Sequence, residues 1–191
     1  MGCIGYGRHA VWEVTEACNL RCRHCHVSST GAGPDELTTR EGKAFVDQLA
    51  SMDAFRMLVY SGGEPLVRKD IDELLAHSAR RGLVNVIATN GTLIDAARAN
   101  ELKRLGVRGI AVGFDSTDPS IHNEIRRSPT AFDRAMRGIE ACKAAGMVVQ
   151  INFTAMRENL ATLPDVIRFC HEIRADIMLC YQLVPMGRGS A

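Results

Sequence analysis

The chain has 191 residues, 46% of them apolar, with 23 Lys plus Arg against 22 Asp plus Glu. A chain of this size buries a substantial core as one domain, and its balanced charge excludes the strong one-signed field that non-specific nucleic-acid or anionic-membrane binding needs. No apolar run approaches the roughly 20 residues that cross a bilayer, and the N-terminus lacks a signal-peptide layout. The expectation is therefore a cytoplasmic protein with no nucleic-acid and no membrane partner.

In chain order, Val11 to Thr15 reads as a short strand, followed by a polar loop that carries three cysteines and reaches Pro34. Thr38 and Glu41 have the spacing of a capping box, and Phe45, Leu49 and Met52 follow at i, i+4 and i+7, so a helix begins there. Phe55 to Tyr60 is the second strand, and the turn Ser61-Gly62-Gly63-Glu64-Pro65 leads into a helix with Ile71, Leu74, Leu75 and Ser78 on one stripe, stopped at Gly82. Leu83 to Thr89 is a strand, Asp95 opens a helix carrying Ala99, Leu102 and Leu105, and Gly106 ends it.

Val107 to Phe114 is the fourth strand, and a polar, turn-rich connection follows it. Phe132, Met136, Ile139 and Cys142 then mark a helix that stops at Gly146, and Val148 to Thr154 is the fifth strand. Leu163, Val166, Ile167 and Cys170 share a helix face, with Pro164 acceptable in the first turn, and Ile177 to Leu183 is the sixth strand.

Six strands alternating with five helices, at about thirty residues per unit, imply parallel βαβ units with right-handed crossovers in an α/β fold. An open Rossmann-type sheet and a curved partial barrel both satisfy this pattern. Residues 1–191 read as one domain without internal repeats, and the helix that would cover the sixth strand is missing, as in a fragment truncated at its C-terminus.

Seven cysteines are an odd count for a disulfide framework in a reducing compartment. Cys18, Cys22 and Cys25 crowd into eight residues, so one loop can wrap three thiolates around a single centre. Three thiolates leave one iron of a four-iron cluster open to a small molecule, whereas four close it. Structural zinc, with His24 or His26 completing a Cys3His site, is the competing reading of this spacing. Cys142, Cys170 and Cys180 fall on apolar stripes and read as core, and Cys3 has no neighbouring cysteine, so a single metal centre is expected.

The cysteine loop after the first strand, Gly62-Gly63-Glu64-Pro65 after the second, and the six βα units together resemble the radical S-adenosylmethionine (radical SAM) superfamily. The resemblance implies a partial (β/α)6 TIM-like barrel of parallel strands and a [4Fe–4S] cluster on Cys18, Cys22 and Cys25. It also implies an S-adenosyl-L-methionine that chelates the open iron and is cleaved to a 5′-deoxyadenosyl radical. His24, where the family often has an aromatic residue, would stack near the adenine or else pack beside the cluster. Gly62, Gly63 and Glu64 would meet the methionyl amino group. Asp115 and Ser116 resemble polar residues near the ribose and carboxylate, with an ordinary turn as the alternative, and Arg126 could pair the carboxylate.

Asn152 and Thr154 alternate with Ile151 and Phe153, so they face a cavity if the sheet curls. Thr89-Asn90-Gly91 either lines the same site or is an ordinary turn, and Val184 lies in Leu183-Val184-Pro185-Met186-Gly187, which resembles the family segment that flanks adenine. The run from Leu183 to Gly189, together with Phe114-Asp115-Ser116, looks closest to two groups within the superfamily, the mycofactocin-type peptide maturases and the enzymes that modify haem-pathway tetrapyrroles. A peptide or tetrapyrrole substrate and an electron donor such as flavodoxin or ferredoxin are implied. A non-catalytic zinc- or cluster-binding interaction module is the alternative.

Overall fold

The computed structural model describes residues 8–28, 31–52 and 54–190. Cys3 lies outside them. Six parallel strands run β1 (His9–Thr15), β2 (Met57–Gly62), β3 (Val84–Thr89), β4 (Val107–Gly113), β5 (Val148–Ala155) and β6 (Ile177–Gln182), hydrogen-bonded in that order. Between them lie helices α1 (Thr39–Ser51), α2 (Ile71–Arg80), α3 (Ala96–Arg104), α4 (Pro119–Arg126), α5 (Ala131–Ala144) and α6 (Leu163–Glu172).

A flat sheet would hold its first and sixth strands roughly 24 Å apart at about 4.8 Å per strand. Val11 of β1 and Tyr181 of β6 nevertheless border the same cavity, so the sheet is curled into a partial barrel. Its seam lies between β1 and β6, which are the two edges of the sheet.

The alternation of side chains along each strand separates the two faces. Toward the helices point Val14, Leu58, Tyr60, Ile87, Val112, Phe114, Val149, Ile151 and Phe153, all within one buried core. The opposite face carries Ser61, Ala88, Ala111, Gly113, Asn152 and Thr154, which are small or polar and border the cavity. The helix stripes supply the rest of the core: Val46 and Leu49 from α1, Ile71, Leu74 and Leu75 from α2, and Ala99 and Leu102 from α3. The capping box of α1 is present, with the Thr38 N–H donating to Glu41 Oε2 at 2.9 Å and the Glu41 N–H donating to Thr38 Oγ1 at 3.4 Å.

Several expectations need correction. The turn-rich connection after β4 contains a helix, α4, because Asp118 accepts from the Ser120 N–H at 2.8 Å and Pro119 occupies the first turn. Met52 lies just past the end of α1 and is exposed, so Gly42, Val46 and Leu49 form the buried stripe. In α5 that stripe is Ala131, Ala135, Gly138, Ile139 and Cys142, with Phe132 and Met136 only partly buried beside it. Ile167 of α6 is 52% exposed. Cys180 is exposed rather than in the core, whereas Cys142 and Cys170 are buried as expected.

Candidate functional site

The carboxyl ends of the strands open into a cavity of about 540 Å³. This lies within the range of about 300–1,000 Å³ usual for small-molecule sites. Cys18, Cys22 and Cys25 border it, together with His24, Gly62, Gly63, Asn90, Arg126, Asn152, Thr154 and Val184. Eleven of the fourteen residues singled out in the sequence therefore meet at one cavity, and the other three, Glu64, Asp115 and Ser116, are fully buried behind its wall.

The cysteine loop is held to the barrel at several points. Within the loop the Leu20 N–H donates to Cys18 Sγ at 3.4 Å, and the Arg23 N–H ties the loop to α4 by donating to the Ile125 carbonyl at 2.8 Å. Asn19 joins the loop to the end of β3, accepting from Asn90 Nδ2 at 2.8 Å and donating to Thr92 Oγ1 at 2.9 Å. The two glycines after β2 let the chain pass close to this loop. A Cβ at Gly63 would sit 2.2 Å from the Ala17 carbonyl oxygen, and Gly62 has φ 121° with a Cβ position 2.3 Å from the Thr15 carbonyl oxygen. Their first duty is thus to the chain itself, and their second is to leave backbone bare at the cavity.

Two donors face the thiols: Asn90 Nδ2 is 4.0 Å from Cys18 Sγ, and Arg126 Nη1 is 4.0 Å from Cys22 Sγ. Burial pushes the Cys18 thiol up to about 11 and raises that of Cys22 despite the nearby Arg126. Left alone these thiols stay protonated, and a bound metal group is what draws out thiolates in such a place. Among the described residues, no three His, Cys, Asp or Glu side chains close on one point as they would around a single ion. The three thiols share the wall of one cavity, and a set of three thiolates leaves one iron of a four-iron cluster open to it.

Glu64 is fully buried, and both carboxylate oxygens already accept hydrogen bonds. Thr89 Oγ1 donates to them at 2.9 and 3.0 Å, the Asn90 N–H donates to Oε2 at 2.8 Å, and the Leu66 N–H donates to Oε1 at 3.2 Å. Burial raises its pKa, with these hydrogen bonds acting in the opposite sense. Instead of standing open to a ligand, Glu64 braces the Thr89–Asn90 turn that lines the cavity.

Asp115 is the second buried carboxylate, and it faces charge. Arg126 Nε lies 2.8 Å from its Oδ2, although the N–H is poorly aligned with that oxygen, so the contact is an ion pair rather than a good hydrogen bond. Burial pushes the Asp115 pKa up, but the Arg126 guanidinium, aided by His24 and His122, carries it below the usual value. His24 Nε2 is 3.9 Å from the same oxygen, and burial drives the His24 pKa down to about 4, so the ring is neutral near pH 7. Its Nδ1 is buried with no hydrogen-bond partner, a group that a ligand in the cavity would satisfy.

Ser116 takes the ordinary alternative: its Oγ accepts from the Asp118 N–H at 2.9 Å and shapes the turn into α4. Sequence reading missed Asn159, whose Nδ2 donates to the Asp115 and Thr154 carbonyls at 3.0 and 2.9 Å and ties β4 to β5. It missed His122 as well, whose Nδ1 accepts from the Asp115 N–H at 3.3 Å. The i, i+3, i+4 spacing of His122, Ile125 and Arg126 on a Pro-started helix was the available signal for both the helix and this residue.

Comparison with known proteins follows the same lines. Residues 12–170 match the family profile described as the Radical SAM superfamily. The chain is 37% identical over 184 residues to the AdoMet-dependent heme synthase of Oleidesulfovibrio alaskensis, covering 96% of this chain and 47% of that protein. It is 38% identical over 181 residues to the Fe-coproporphyrin III synthase of Methanosarcina barkeri, covering 94% and 45% respectively. To the mycofactocin maturase MftC of Mycobacterium tuberculosis it is 33% identical over 180 residues, covering 94% and 45%.

The chain thus spans about half the length of the curated relatives it matches. Among solved structures, Streptococcus suis SuiB bound to S-adenosylmethionine superposes with a TM-score of 0.79 at 19% identity, covering 92% of this chain and 40% of that one. At that identity the likeness shows the fold.

Proposed function

Starting from a chain that belongs to the radical SAM superfamily, we propose that it is the catalytic barrel of a radical SAM enzyme acting on a haem-pathway tetrapyrrole. The observation that carries this is the meeting of three cysteines with Gly62, Gly63 and Asn90 at the mouth of one cavity. Cys18, Cys22 and Cys25 would hold a [4Fe–4S] cluster, and the cavity would hold S-adenosyl-L-methionine. When bound and given one electron, these two together would supply hydrogen-abstracting chemistry, releasing methionine and a 5′-deoxyadenosyl radical.

The residues of the chain bind, orient and shield. Gly62 and Gly63 present main chain at the wall, and Glu64 holds Thr89 and Asn90 in position to meet the cofactor's polar end. Arg126, anchored by Asp115, presents a guanidinium for a carboxylate. His24 offers a neutral ring and an unsatisfied Nδ1, while Asn152, Thr154 and Val184 line the remaining wall. Asp115 acts from behind the wall through Arg126.

The tetrapyrrole is favoured over a peptide because the relatives at 37% and 38% identity are haem and coproporphyrin enzymes, whereas MftC is at 33%. Electrons would come from a flavodoxin or ferredoxin. Anaerobic reconstitution tests the reading. We expect about four irons per chain, lost in the Cys18→Ala, Cys22→Ala, Cys25→Ala triple variant and kept when Cys142, Cys170 and Cys180 are replaced together. Titration should show S-adenosyl-L-methionine binding, and 5′-deoxyadenosine should form on reduction. Zinc uptake without cofactor binding would establish the interaction-module alternative. A full-length protein that turns over a precursor peptide and leaves iron-porphyrins unchanged would move the substrate to the peptide class.

A further inference from the structure

The short 3₁₀ turn Gly187–Ser190, after the edge strand β6, lies against the cysteine loop that follows the other edge strand, β1. Arg188 grips that loop twice. Its N–H donates to the Cys25 carbonyl at 2.9 Å, and its Nε donates to the Cys22 carbonyl at 2.9 Å. The neighbouring glycine permits the approach. Gly187 has φ 55°, and a Cβ there would lie 2.6 Å from the Cys25 carbonyl oxygen and 2.5 Å from that of His26. Arg188 is partly buried and borders both the main cavity and a smaller neighbouring one.

The carbonyls that Arg188 holds belong to two of the three cysteines assigned to the cluster. Fixing a ligand's main chain fixes where its thiolate stands, and such outer partners govern how well a metal site retains its metal. A guanidinium is charged at every accessible pH. A fixed positive charge beside a cluster favours the reduced, more negative form and so raises the reduction potential.

We propose that Arg188 is a positioning residue for the cluster, latching the cysteine loop to the segment after β6 and holding the cluster's potential up. The proposal rests on the cluster assignment made above. The latch accounts for the contact of Gly187-Arg188-Gly189 with the loop, which a role in flanking adenine does not.

The test uses the whole 191-residue chain, reconstituted anaerobically, with two readouts: the rate at which a chelator strips iron, and the midpoint potential followed by electron paramagnetic resonance. In Arg188→Met, stripping should be about 10-fold faster, and the potential should move to a more negative value. Arg188→Lys keeps the charge but loses the directed Nε–H, so it should show the parent potential with faster stripping. Gly187→Ala, which pushes the two backbones apart, should behave like the Lys variant.

Thermal unfolding of the metal-free Arg188 variants, expected to stay cooperative and close to the parent, separates these effects from a folding defect, whereas Gly187→Ala, strained at φ 55°, should unfold at a lower temperature. If Arg188→Met equals the parent in either readout, the proposal is overturned. If Arg188→Met does not fold, Arg188→Lys decides alone, since parent-like stripping there overturns the latch. A parent chain that takes up no cluster sinks the assignment beneath the proposal instead, so the two failures are distinguishable.

Discussion

The two faces of the curled sheet are built from the same strands and obey opposite rules. The helix-facing side is large and apolar, with Tyr60, Phe114, Ile151 and Phe153 fully buried. The cavity-facing side is small or polar, with Ser61, Ala88, Gly113, Asn152 and Thr154. Period-2 alternation lets one strand serve both, so β5 buries Ile151 and Phe153 for cohesion while turning Asn152 and Thr154 to the site. Cohesion and chemistry are thereby separated by one residue along the chain, and substitutions one position apart should differ in kind.

The largest effect should come from the helix-facing side. Phe153→Ala removes a fully buried ring that belongs to the core and should cost about 3–5 kcal/mol in urea unfolding of the metal-free chain. A cost under about 1 kcal/mol would show that this face collapses freely and is not the source of cohesion.

At the rim, Glu64→Ala would remove the acceptor of the Thr89 hydroxyl and of the Asn90 and Leu66 N–H groups, but the space it leaves lies beside the cavity and admits water to them, so the net cost should be about 1–3 kcal/mol. The same measurement against pH separates the two buried carboxylates. The raised pKa of Glu64 means that its contribution is present below the unfolded value of about 4.3 and is lost as pH rises through the folded value. Glu64→Gln should therefore gain on the parent as pH increases. Asp115 has a lowered pKa, so its contribution is present above about 3.9 and fades as pH falls through the folded value. Asp115→Asn should accordingly lose least against the parent in acid. Parallel pH slopes for the two variants would contradict the environments described for them.

On the cavity side, Asn152→Ala removes the acceptor that Gln150 Nε2 donates to at 2.7 Å, and the loss of that bond should cost about 0.5–1.5 kcal/mol in stability. Its effect on S-adenosyl-L-methionine binding should exceed its effect on unfolding, the reverse of the order for Phe153. The smallest effect belongs to Cys180→Ser on the exposed part of β6, within about 0.5 kcal/mol. Unfolding curves for both should be compared at one pH.

The alternation of strands and helices was legible from periodicity, and so was the rim, because each polar cluster follows an apolar strand. Helix α4 was obscured by its short length and by a polar turn on either side, although Asp118-Pro119 announced it. Periodicity placed Ile167 and Cys180 inward because it presumes that every apolar stripe finds a partner. Those two positions lie on the last helix and the last strand, where less of the described chain packs on them. Gly62-Gly63-Glu64 was found as a unit but divided its labour in space, since the two glycines reach the cavity and Glu64 works through Thr89 and Asn90. Nothing in a linear sequence distinguishes a carboxylate that meets a ligand from one that steadies the turn which does. The same limit hid Arg188, whose partners are 166 residues away at Cys22 and nearly as remote at Cys25.

That separation also sets an order of events during synthesis. Consecutive strands pair with one another, so each new βα unit can add to the sheet as it emerges. The grip of Arg188 on the Cys22 carbonyl spans 166 residues, and at about 5–20 residues per second roughly 8 to 33 s separate the appearance of the two partners. Through that interval the ligand loop is made but unlatched, open to whatever delivers iron and sulfide. Closure comes only when the turn after β6 is complete, which makes metal delivery during translation and metal delivery to the finished chain two processes with different access to the same three thiols.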